Sequence, residues 1–584
     1  MTSFLSKKPR VILFTSKCER GLRYEDSLAI PLGLHILKFY LEKNGAQCDV
    51  CDLELCAKAN ENKNSPISYL TEDDYVKRIE KGDYDIIGFS PTHWNMQTDL
   101  EFMYKLRKAS AKSQKKSLFI AGGHSATISA EDWLDYGMDL ILLGHCELAL
   151  VEVLKRFVKN DSNLNCDIYS DVKGVAYIDS SGKLIKNNQP QQAPEEFEYS
   201  NYNVMMEADL PYHYYWDLIR SRSSDVLTAN KRSFVIENGR LYTSNRCLAR
   251  CGFCSCVGFL PSAHGEGRGK FIGLTAKQIH ALIIRNVNKY GARAFSFNDE
   301  DFLVGNNLGE TRALELCKLI VESKNKGEIP QEVKFSCQTR AGNFVIKGKN
   351  GGANILNHNL VKTMKNAGFH NVSLGVESFS EKLMKAPSIN KAGMTAENCK
   401  LVLEGFFEHG LYATINLILL IPESEPEDLL NTLYTAVEYM DKPVQISTSN
   451  VMRMFPGAPI YYSNDYNTVD VNVKNELNGK NIRIPVYCEP QNKSLRGLLK
   501  ILETKEESVA KAFRIEKGID TNKMLPRAVL TLLLFRLVAK YLKDNELLQL
   551  INNKLDTMVT ASILGNSQSF LDEGSGELRQ SPGL

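Results

Sequence analysis

The sequence lacks an excess of either charge, a long apolar run and a start typical of secreted proteins. Across 584 residues, 71 Lys and Arg balance 69 Asp and Glu, which leaves a formal net charge of +2. This balance argues against a protein held to nucleic-acid phosphates or to an anionic membrane surface. The longest apolar stretch near the end of the chain, at 529–538, contains Arg536 and is too short to span a bilayer. We therefore predict no nucleic-acid partner and no membrane span.

The cysteines lack the context of a disulfide framework. Fourteen of them are spread along the chain, and no charged start is followed by an apolar run and a small-residue cleavage site. This pattern predicts a reducing, cytoplasmic compartment. The length corresponds to roughly three or four domains of about 150 residues each.

One segment carries the strongest chemical signal, Cys247-Leu-Ala-Arg-Cys251-Gly-Phe-Cys254. Three thiolates on one loop can hold three irons of a [4Fe–4S] cube and leave the fourth iron open to a ligand. A structural zinc site closes all four positions, usually with two Cys or Cys/His halves, and no second half follows at finger-like spacing. The segment therefore favours a cluster bound by Cys247, Cys251 and Cys254. We expect the neighbouring Cys256 to be a buried small hydrophobe rather than a ligand.

Strand-type and helix-type segments alternate over the first 155 residues, which predicts a parallel sheet. In such a sheet, ligands bind beyond the carboxyl ends of the strands, where glycine lets a bulky ligand approach the backbone. The residues expected to converge there are Ser90, Thr92, His93, Gly122, Gly123, His124, Gly144 and Glu147.

Strand–helix units repeat again between residues 236 and 445, the layout of a partial (β/α) barrel. Barrel chemistry gathers at the carboxyl ends of the strands, and three predicted strands end in polar residues. The first ends in Asp299, Glu300 and Asp301, the second carries Gln338 and Arg340, and the third ends in Glu377. A guanidinium such as that of Arg340 can clamp a carboxylate through two parallel hydrogen bonds.

The cysteine spacing, with Phe253 directly before the last thiol, resembles the signature of the radical S-adenosylmethionine (SAM) enzymes. Three further segments, Ile30-Pro-Leu-Gly33, the Ala-Gly-Gly-His-Ser-Ala loop at 121–126 and Leu-Gly-His-Cys-Glu at 143–147, resemble the cobalamin-binding domain that precedes many of them. The last segment departs from the family's Gly-Glu-Gly-Glu at His145 and Cys146. No Asp-x-His-x-x-Gly signature follows the first strand, so we expect no histidine ligand on cobalt.

The resemblance implies three cofactors: a [4Fe–4S] cluster, SAM and cobalamin. It implies that the strand-end residues of the first domain bind cobalamin, and that SAM is bound by Phe253, Asp299, Glu300, Gln338, Arg340 and Glu377. The expected fold is α/β, with a Rossmann-like doubly wound cobalamin-binding domain followed by a partial barrel and a mostly helical C-terminal region. The expected boundaries are 1–155 for the first domain, 156–235 for a connector, 236–445 for the barrel, 446–560 for a cap and 561–584 for a disordered tail.

Two classes of function are open. In the first, cleaved SAM yields a radical that takes hydrogen from a small-molecule or peptide substrate, and methylcobalamin then methylates a substrate carbon. A reducing partner such as flavodoxin or ferredoxin would supply electrons, and the alternative outcome is a radical cyclisation or rearrangement. In the second class, the chain is a non-catalytic corrinoid-binding or redox-sensing protein. That class needs a fourth protein ligand to the cluster, and no residue in the sequence stands out as one.

Overall fold

The structure is a computed structural model that describes most of the chain. The described residues are 8–16, 28–61, 70–160, 163–222, 237–265, 267–305, 307–348, 353–391, 394–502, 506–520 and 525–563. The predicted disordered tail lies outside them from residue 564 onward. Within the described ranges, no helix is long and apolar enough to cross a membrane.

The first sheet has seven strands. They are β1 Arg10–Thr15, β2 Gln47–Cys51, β3 Ile86–Ser90, β4 Leu118–Ala121, β5 Leu140–Leu142, β6 Val175–Ile178 and β7 Leu184–Asn187. Their order is β2-β1-β3-β4-β5-β6-β7, in which β1 to β5 pair in parallel and β6 and β7 add to one edge in antiparallel fashion. The last two strands come from the predicted connector.

The central strands of this sheet are apolar on both faces. Along β1, Val11 and Leu13 enter the core on one side, whereas Ile12 and Phe14 enter the core on the other. Helices therefore cover both faces, as in other parallel sheets that are buried on two sides. The strand order reverses at β1, which places a ligand crevice beyond the ends of β1 and β3.

Ten helices accompany the first sheet and the connector. They are α1 Leu32–Lys43, α2 Leu53–Glu61, α3 Glu72–Glu80, α4 Met96–Lys112, α5 Gly123–Ile128, α6 Ala130–Asp135, α7 Glu147–Lys159, α8 Pro194–Glu198, α9 Val204–Glu207 and α10 Tyr212–Arg222 within the described residues.

The second sheet has six strands, all parallel. They are β8 Asn238–Leu241, β9 Ala294–Phe297, β10 Lys334–Thr339, β13 Phe369–Glu377, β14 Tyr412–Leu420 and β15 Val444–Val451, with the short hairpin β11 Val345–Ile346 and β12 Ile355–Leu356 between them in sequence. Their order is β15-β14-β13-β10-β9-β8. The rings of Phe295, Phe297, Phe335 and Phe369 stack on the helix-covered face of this partial barrel.

The described helices of the barrel are α11 Cys256–His264, α12 Ala276–Tyr290, α13 Asn307–Asn325, α14 His358–Ala367, α15 Glu381–Lys385, α16 Ala396–Glu408 and α17 Pro426–Tyr439. After the barrel come the antiparallel pair β16 Thr468–Lys474 and β17 Asn481–Cys488, then α18 Arg496–Leu502, α19 Glu506–Glu516, α20 Arg527–Leu542 and α21 Asn545–Ile563. The fold class expected from the sequence is confirmed, whereas the exact domain boundaries stay predictions.

Candidate active site

The cysteine loop follows β8 and ends where α11 begins. Side chains form hydrogen bonds with both the backbone N–H and the backbone carbonyl groups of this loop. The Cys247 N–H donates to Glu300 Oε2 at 2.6 Å, and Arg268 donates to the carbonyls of Cys247 at 2.8 Å and Ala249 at 2.7 Å. Because both the amides and the carbonyls are engaged by side chains, the loop holds its thiols in a defined arrangement.

Gly252 in this loop and Gly258 in the following helix α11 both lie close to distant backbone. A Cβ on Gly252 would lie 2.1 Å from the carbonyl oxygen of Pro387, and one on Gly258 would lie 2.5 Å from that of Gly457. Real Cβ atoms do not come this close to backbone oxygen, so each position requires glycine. The Gly252 N–H also donates to the Ile389 carbonyl at 3.1 Å. The loop is therefore wedged between the segment before residue 391 and the segment around residue 457.

The three thiols have different protonation tendencies. Burial raises the pKa of Cys247 to about 12 and that of Cys251 to about 11. The pKa of Cys254 is lowered, chiefly because Cys256 donates a hydrogen bond to it. Cluster binding must therefore release protons from the buried Cys247 and Cys251 thiols, and the contact with Cys256 favours the same release at Cys254. The expectation that Cys256 is a buried small hydrophobe is not met, because Cys256 is half-buried and donates a hydrogen bond to Cys254.

The spacing of the thiols does not suit a single zinc ion. Ligand atoms of one tetrahedral zinc lie about 4 Å apart, given Zn–S bonds of about 2.3 Å. Among the described residues, the only three potential ligand atoms within 4.8 Å of one another belong to His358, Glu408 and His409 on the surface. The three cysteines of the loop therefore do not form a preassembled site for one zinc ion.

The three acidic residues after β9 have separate roles. Asp299 accepts hydrogen bonds from the Thr243 N–H and hydroxyl, both at 2.8 Å, and from the Ser244 hydroxyl at 2.6 Å. Its carboxylate therefore joins the end of β9 to the end of β8 and has few positions left for a ligand. Glu300 bonds the cysteine loop through Cys247, as described above. Both remain predicted SAM-binding residues, but their contacts in the structure are with the protein.

Asp301 explains the position of Arg340. Its buried carboxylate accepts hydrogen bonds from Thr339 Oγ1 at 2.6 Å, Arg340 Nε at 2.9 Å and Asn343 Nδ2 at 2.8 Å. The Nε–H of Arg340 thus binds Asp301, and the side chain stays partly exposed. Gln338 precedes Arg340 by two residues and lies on the half-buried, inward face of β10.

Glu377 is paired with a residue that the sequence did not single out. Lys391 Nζ lies 2.6 Å from Glu377 Oε1, and both side chains are buried. Burial by itself would lower the pKa of Lys391, but the Glu377 carboxylate outweighs this effect and the pKa is raised. Lys391 Nζ also lies 6.0 Å from the ring centre of Phe253. The backbone of Glu377 has a φ of 64°, unusual for a residue other than glycine.

The structure gathers the predicted cobalamin-binding residues at one edge of the first sheet. Thr92 lies beside the end of β1, with its hydroxyl 2.9 Å from that of Ser16. His93 Nε2 lies 3.3 Å from the carbonyl of Pro485, and burial lowers the pKa of His93. Ser90 lies at the end of β3, where its hydroxyl would be 3.1 Å from a Cβ on Gly123.

Gly122 and Gly123 form the turn between β4 and α5. Gly123 has a φ of 85°, and among the described residues a Cβ built there would meet only Ser90 Oγ within 4 Å. The backbone at Gly123 is therefore strained for other residues and is not covered by the described part of the chain. A flat ligand can approach this turn closely.

Gly144 and Glu147 follow β5, and both lie against other residues of the chain. A Cβ on Gly144, whose φ is 63°, would lie 2.8 Å from the Ala263 Cβ. Its glycine is thus required by the packing of α11. Burial raises the pKa of Glu147, and Ser200 donates a hydrogen bond to its carboxyl group. Both residues stay predictions as cobalamin contacts.

The cysteine loop and the strand-end edge of the first sheet meet directly. Ser255, next to Cys254, has its Oγ 3.0 Å from Nε2 of His124. The His124 ring stacks on Phe259 of α11 at 4.9 Å, and α11 packs on α5. The two predicted sites, far apart in sequence, therefore form one continuous region. The sequence carried no signal for the partners Ser255 and Phe259.

Comparisons with known proteins agree with this arrangement. Residues 26–154 match the B12 binding domain family, and residues 241–434 match the radical SAM superfamily. The chain belongs to the cobalamin-dependent radical SAM enzymes. The predicted cofactors, cobalamin, SAM and a [4Fe–4S] cluster, are confirmed as those of this family.

Individual relatives of this radical SAM chain are distant. The cytidylyl-2-hydroxyethylphosphonate methyltransferase of Streptomyces wedmorensis is 24% identical over 300 residues, which cover 49% of the chain and 53% of the relative. The match therefore spans about half the length of that curated protein. Among solved structures, the cobalamin-dependent SAM radical enzyme OxsB has a TM-score of 0.63 at 16% identity, covering 97% of this chain and 82% of that one.

A second solved structure is the radical SAM methyltransferase TsrM from Kitasatospora setae, determined with tryptophan and a SAM analogue. Its TM-score is 0.58 at 14% identity, and the match covers 85% of this chain and 88% of that one. At such low identities, the two structural matches establish the fold alone.

The residues at the edge of the first sheet fit a corrin. Besides the open turn at Gly123, two buried imidazole nitrogens, His124 Nδ1 and His145 Nε2, have no hydrogen-bond partner in the described part of the chain. Buried polar atoms without partners carry a free-energy cost that a ligand's polar groups can remove. The amide groups around a corrin ring are suitable partners, so the structure is compatible with cobalamin at this edge.

Proposed function

We propose that this enzyme methylates a carbon atom of a small-molecule or peptide substrate. When bound, the cluster and SAM supply a radical that takes a hydrogen atom from the substrate, and cobalamin supplies the methyl group. The observation that carries this proposal is the direct contact between the cysteine loop and the cobalamin edge, through Ser255 and His124. Both reagents have to reach the same substrate carbon, and this contact brings their predicted sites together.

The residues of this chain have distinct parts in the proposed reaction. Cys247, Cys251 and Cys254 hold the cluster, and Arg340 and Gln338 bind SAM at the strand ends beside it. Arg340 is held in place by Asp301, so its remaining N–H groups are oriented before SAM binds. Glu377 and Lys391 form a buried ion pair with no net charge next to the loop. Neither charge is therefore left unpaired beside the cofactor.

The relative from Streptomyces wedmorensis and the structural neighbour TsrM are both named as methyltransferases, which supports the proposed reaction. The substrate, the reducing partner, such as flavodoxin or ferredoxin, and the cytoplasmic location are part of the proposal. A radical cyclisation or rearrangement uses the same cleavage of SAM without methyl transfer.

One experiment tests the proposal. Protein reconstituted without oxygen is incubated with reductant, cobalamin, methyl-labelled SAM and an extract of the host, and 5′-deoxyadenosine and the label are followed. Formation of 5′-deoxyadenosine with transfer of label to an acceptor is the expected result. Formation of 5′-deoxyadenosine without transfer would favour cyclisation or rearrangement. Neither product from the wild-type protein would favour the redox sensor. Cys251→Ala is the control that lacks a cluster ligand.

A further inference from the structure

The inward face of the barrel sheet is polar from edge to edge. Side chains alternate between the two faces of a strand, so residues two apart share a face. The register places Arg240 of β8 beside Ser296 of β9, Ser296 beside Ser336 of β10, and Ser336 beside Asn371 of β13. The opposite face of the same strands carries the stacked phenylalanines. The lumen of the partial barrel is therefore a surface of hydroxyl, amide and guanidinium groups.

Several lumen groups have no partner for hydrogen bonding. Some are joined to each other: Asn238 Nδ2 donates to Ser296 Oγ at 2.9 Å, and Ser296 Oγ lies 3.1 Å from Ser336 Oγ. However, the buried oxygens Asn238 Oδ1, Asn298 Oδ1 and Gln445 Oε1 accept no hydrogen bond in the described structure. Unpaired oxygens of this kind are suited to the N–H or O–H groups of a ligand.

Arg240 is the charged group at the level of Ser296 and Ser336 in this surface. In the described part of the chain its guanidinium forms neither a hydrogen bond nor an ion pair, and burial lowers its pKa. Among the cations near the site, Arg340 is paired with Asp301 and Lys391 with Glu377, whereas Arg246, Arg268 and Arg312 donate to backbone carbonyls. A guanidinium inside a protein without an anion is costly, because its charge is only partly hydrated. Its fork of N–H groups matches a carboxylate or a phosphate.

The depth of Arg240 separates it from the SAM site. Arg240 is level with Ser336 in the sheet, and Arg340 lies four residues further along the same direction. At about 3.3 Å per residue, Arg240 lies about 13 Å deeper in the barrel than Arg340. Arg240 therefore does not belong to the strand-end residues predicted to bind SAM.

We propose that the substrate of this enzyme carries an oxyanion, a carboxylate or a phosphate, and that Arg240 binds this group in the barrel lumen while the unpaired amide oxygens accept hydrogen bonds from neighbouring substrate groups. This inference rests on the proposed function, because that function is what makes the bound ligand a substrate. It selects acidic, hydrogen-bonding compounds over neutral apolar ones.

The first test measures anion binding without turnover. Reconstituted enzyme with SAM but no reductant is dialysed against labelled inorganic phosphate or labelled acetate at low ionic strength. The wild type should bind about one more equivalent of at least one probe than Arg240→Gln, with at least tenfold higher affinity. Arg240→Lys should bind more weakly than the wild type, because an ammonium lacks the fork. Arg293→Gln is the matched control, since Arg293 is paired with Glu332.

Equal binding of both probes by the wild type and Arg240→Gln, including no binding by either, would overturn the proposal. A second measurement on the wild type avoids any folding defect of the variants. Phenylglyoxal modifies arginine, and peptide mapping reports each position. Phosphate or acetate should slow the modification of Arg240 at least fivefold and leave that of Arg293 unchanged. Equal rates at Arg240 with and without anions would count against the site.

A turnover arm separates this inference from the proposed methyl transfer. The host extract is divided on an anion-exchange resin, and the labelled acceptor should be in the anionic fraction. The KM for that acceptor should rise at least tenfold in Arg240→Gln and stay unchanged in Arg293→Gln. An acceptor in the neutral fraction would overturn the oxyanion assignment but leave methyl transfer standing. Anion binding at Arg240 without any methyl transfer by the wild type would support the anion site and overturn the proposed methyl transfer.

Discussion

The two parallel sheets of this protein differ in the faces that they present. The first sheet is apolar on both sides, so its chemistry is confined to the ends of its strands, around Gly123 and Ser90. The barrel sheet is apolar on one side and polar on the other, so its function extends from the strand ends into the lumen at Arg240. A closed, two-sided core stabilises one domain, whereas the other keeps one face for ligands. Each prediction below tests one side of this difference.

The largest effect is expected at the cluster. Replacement of Cys247, Cys251 or Cys254 by Ala removes the protein ligand of one iron. Iron content should fall severely and SAM cleavage should be lost, more than a hundredfold, as measured by iron analysis and 5′-deoxyadenosine formation. Cys256→Ala is the matched control and should keep both within about twofold. Full iron content and cleavage in Cys251→Ala would disprove the assignment.

The next effect concerns the strand-end turn of the first sheet. Gly123→Val should lower bound cobalamin at least tenfold, because the side chain occupies the space before the turn, while the iron content stays unchanged. Visible spectra and metal analysis measure both. Gly182→Val is matched in backbone conformation, with a φ of 82° and open surroundings, and should retain cobalamin. Loss in both variants would point to backbone strain in general rather than to a ligand site.

The third prediction concerns the buried pair below the cysteine loop. Lys391→Met leaves the Glu377 carboxylate buried without its partner, which should lower the free energy of unfolding by about 3–5 kcal/mol. Adding Glu377→Gln should recover most of this loss, measured by denaturant unfolding. Glu377→Gln by itself should also weaken SAM binding about tenfold if it contacts the cofactor. Unchanged SAM affinity would restrict Glu377 to its structural pairing.

The smallest effect is a dependence of stability on pH at the junction of the two domains. Burial lowers the pKa of His124 and of His145 to about 4 each. Because the unfolded chain takes up these protons near pH 6.5, stability is complete above that pH and falls as the pH drops toward 4. At pH 5 each histidine should cost up to about 2 kcal/mol.

Thermal unfolding of the protein before cofactor reconstitution, followed from pH 7 to pH 5, measures this dependence. The double variant His124→Gln/His145→Gln should flatten the curve, whereas His358→Gln on the surface should not. A curve equally steep in the double variant would place the titrating groups elsewhere.

Much of the fold was predictable because its causes are local. Alternating strand and helix patterns and the apolar runs of β1, β3 and β4 predicted a parallel sheet, and the repeat of the pattern predicted the barrel. The side-chain partners were less predictable. Asp299 and Arg340 stay predicted SAM contacts, but their bonds to Thr243 and Asp301 within the protein had no signal in the sequence. Lys391 was missed because nothing in its neighbourhood resembles a motif.

The sequence by itself determined the fold class and the family and predicted the cluster ligands, because strand–helix alternation and thiol spacing are properties of neighbouring residues. Only the tertiary structure decided which charges are paired and which are not. The Glu377–Lys391 pair, the wedge of Gly252 against Pro387 and the isolation of Arg240 each depend on segments that are distant along the chain. Such contacts form when the sheet is assembled, so the same residue types carry no signal of them in the linear sequence.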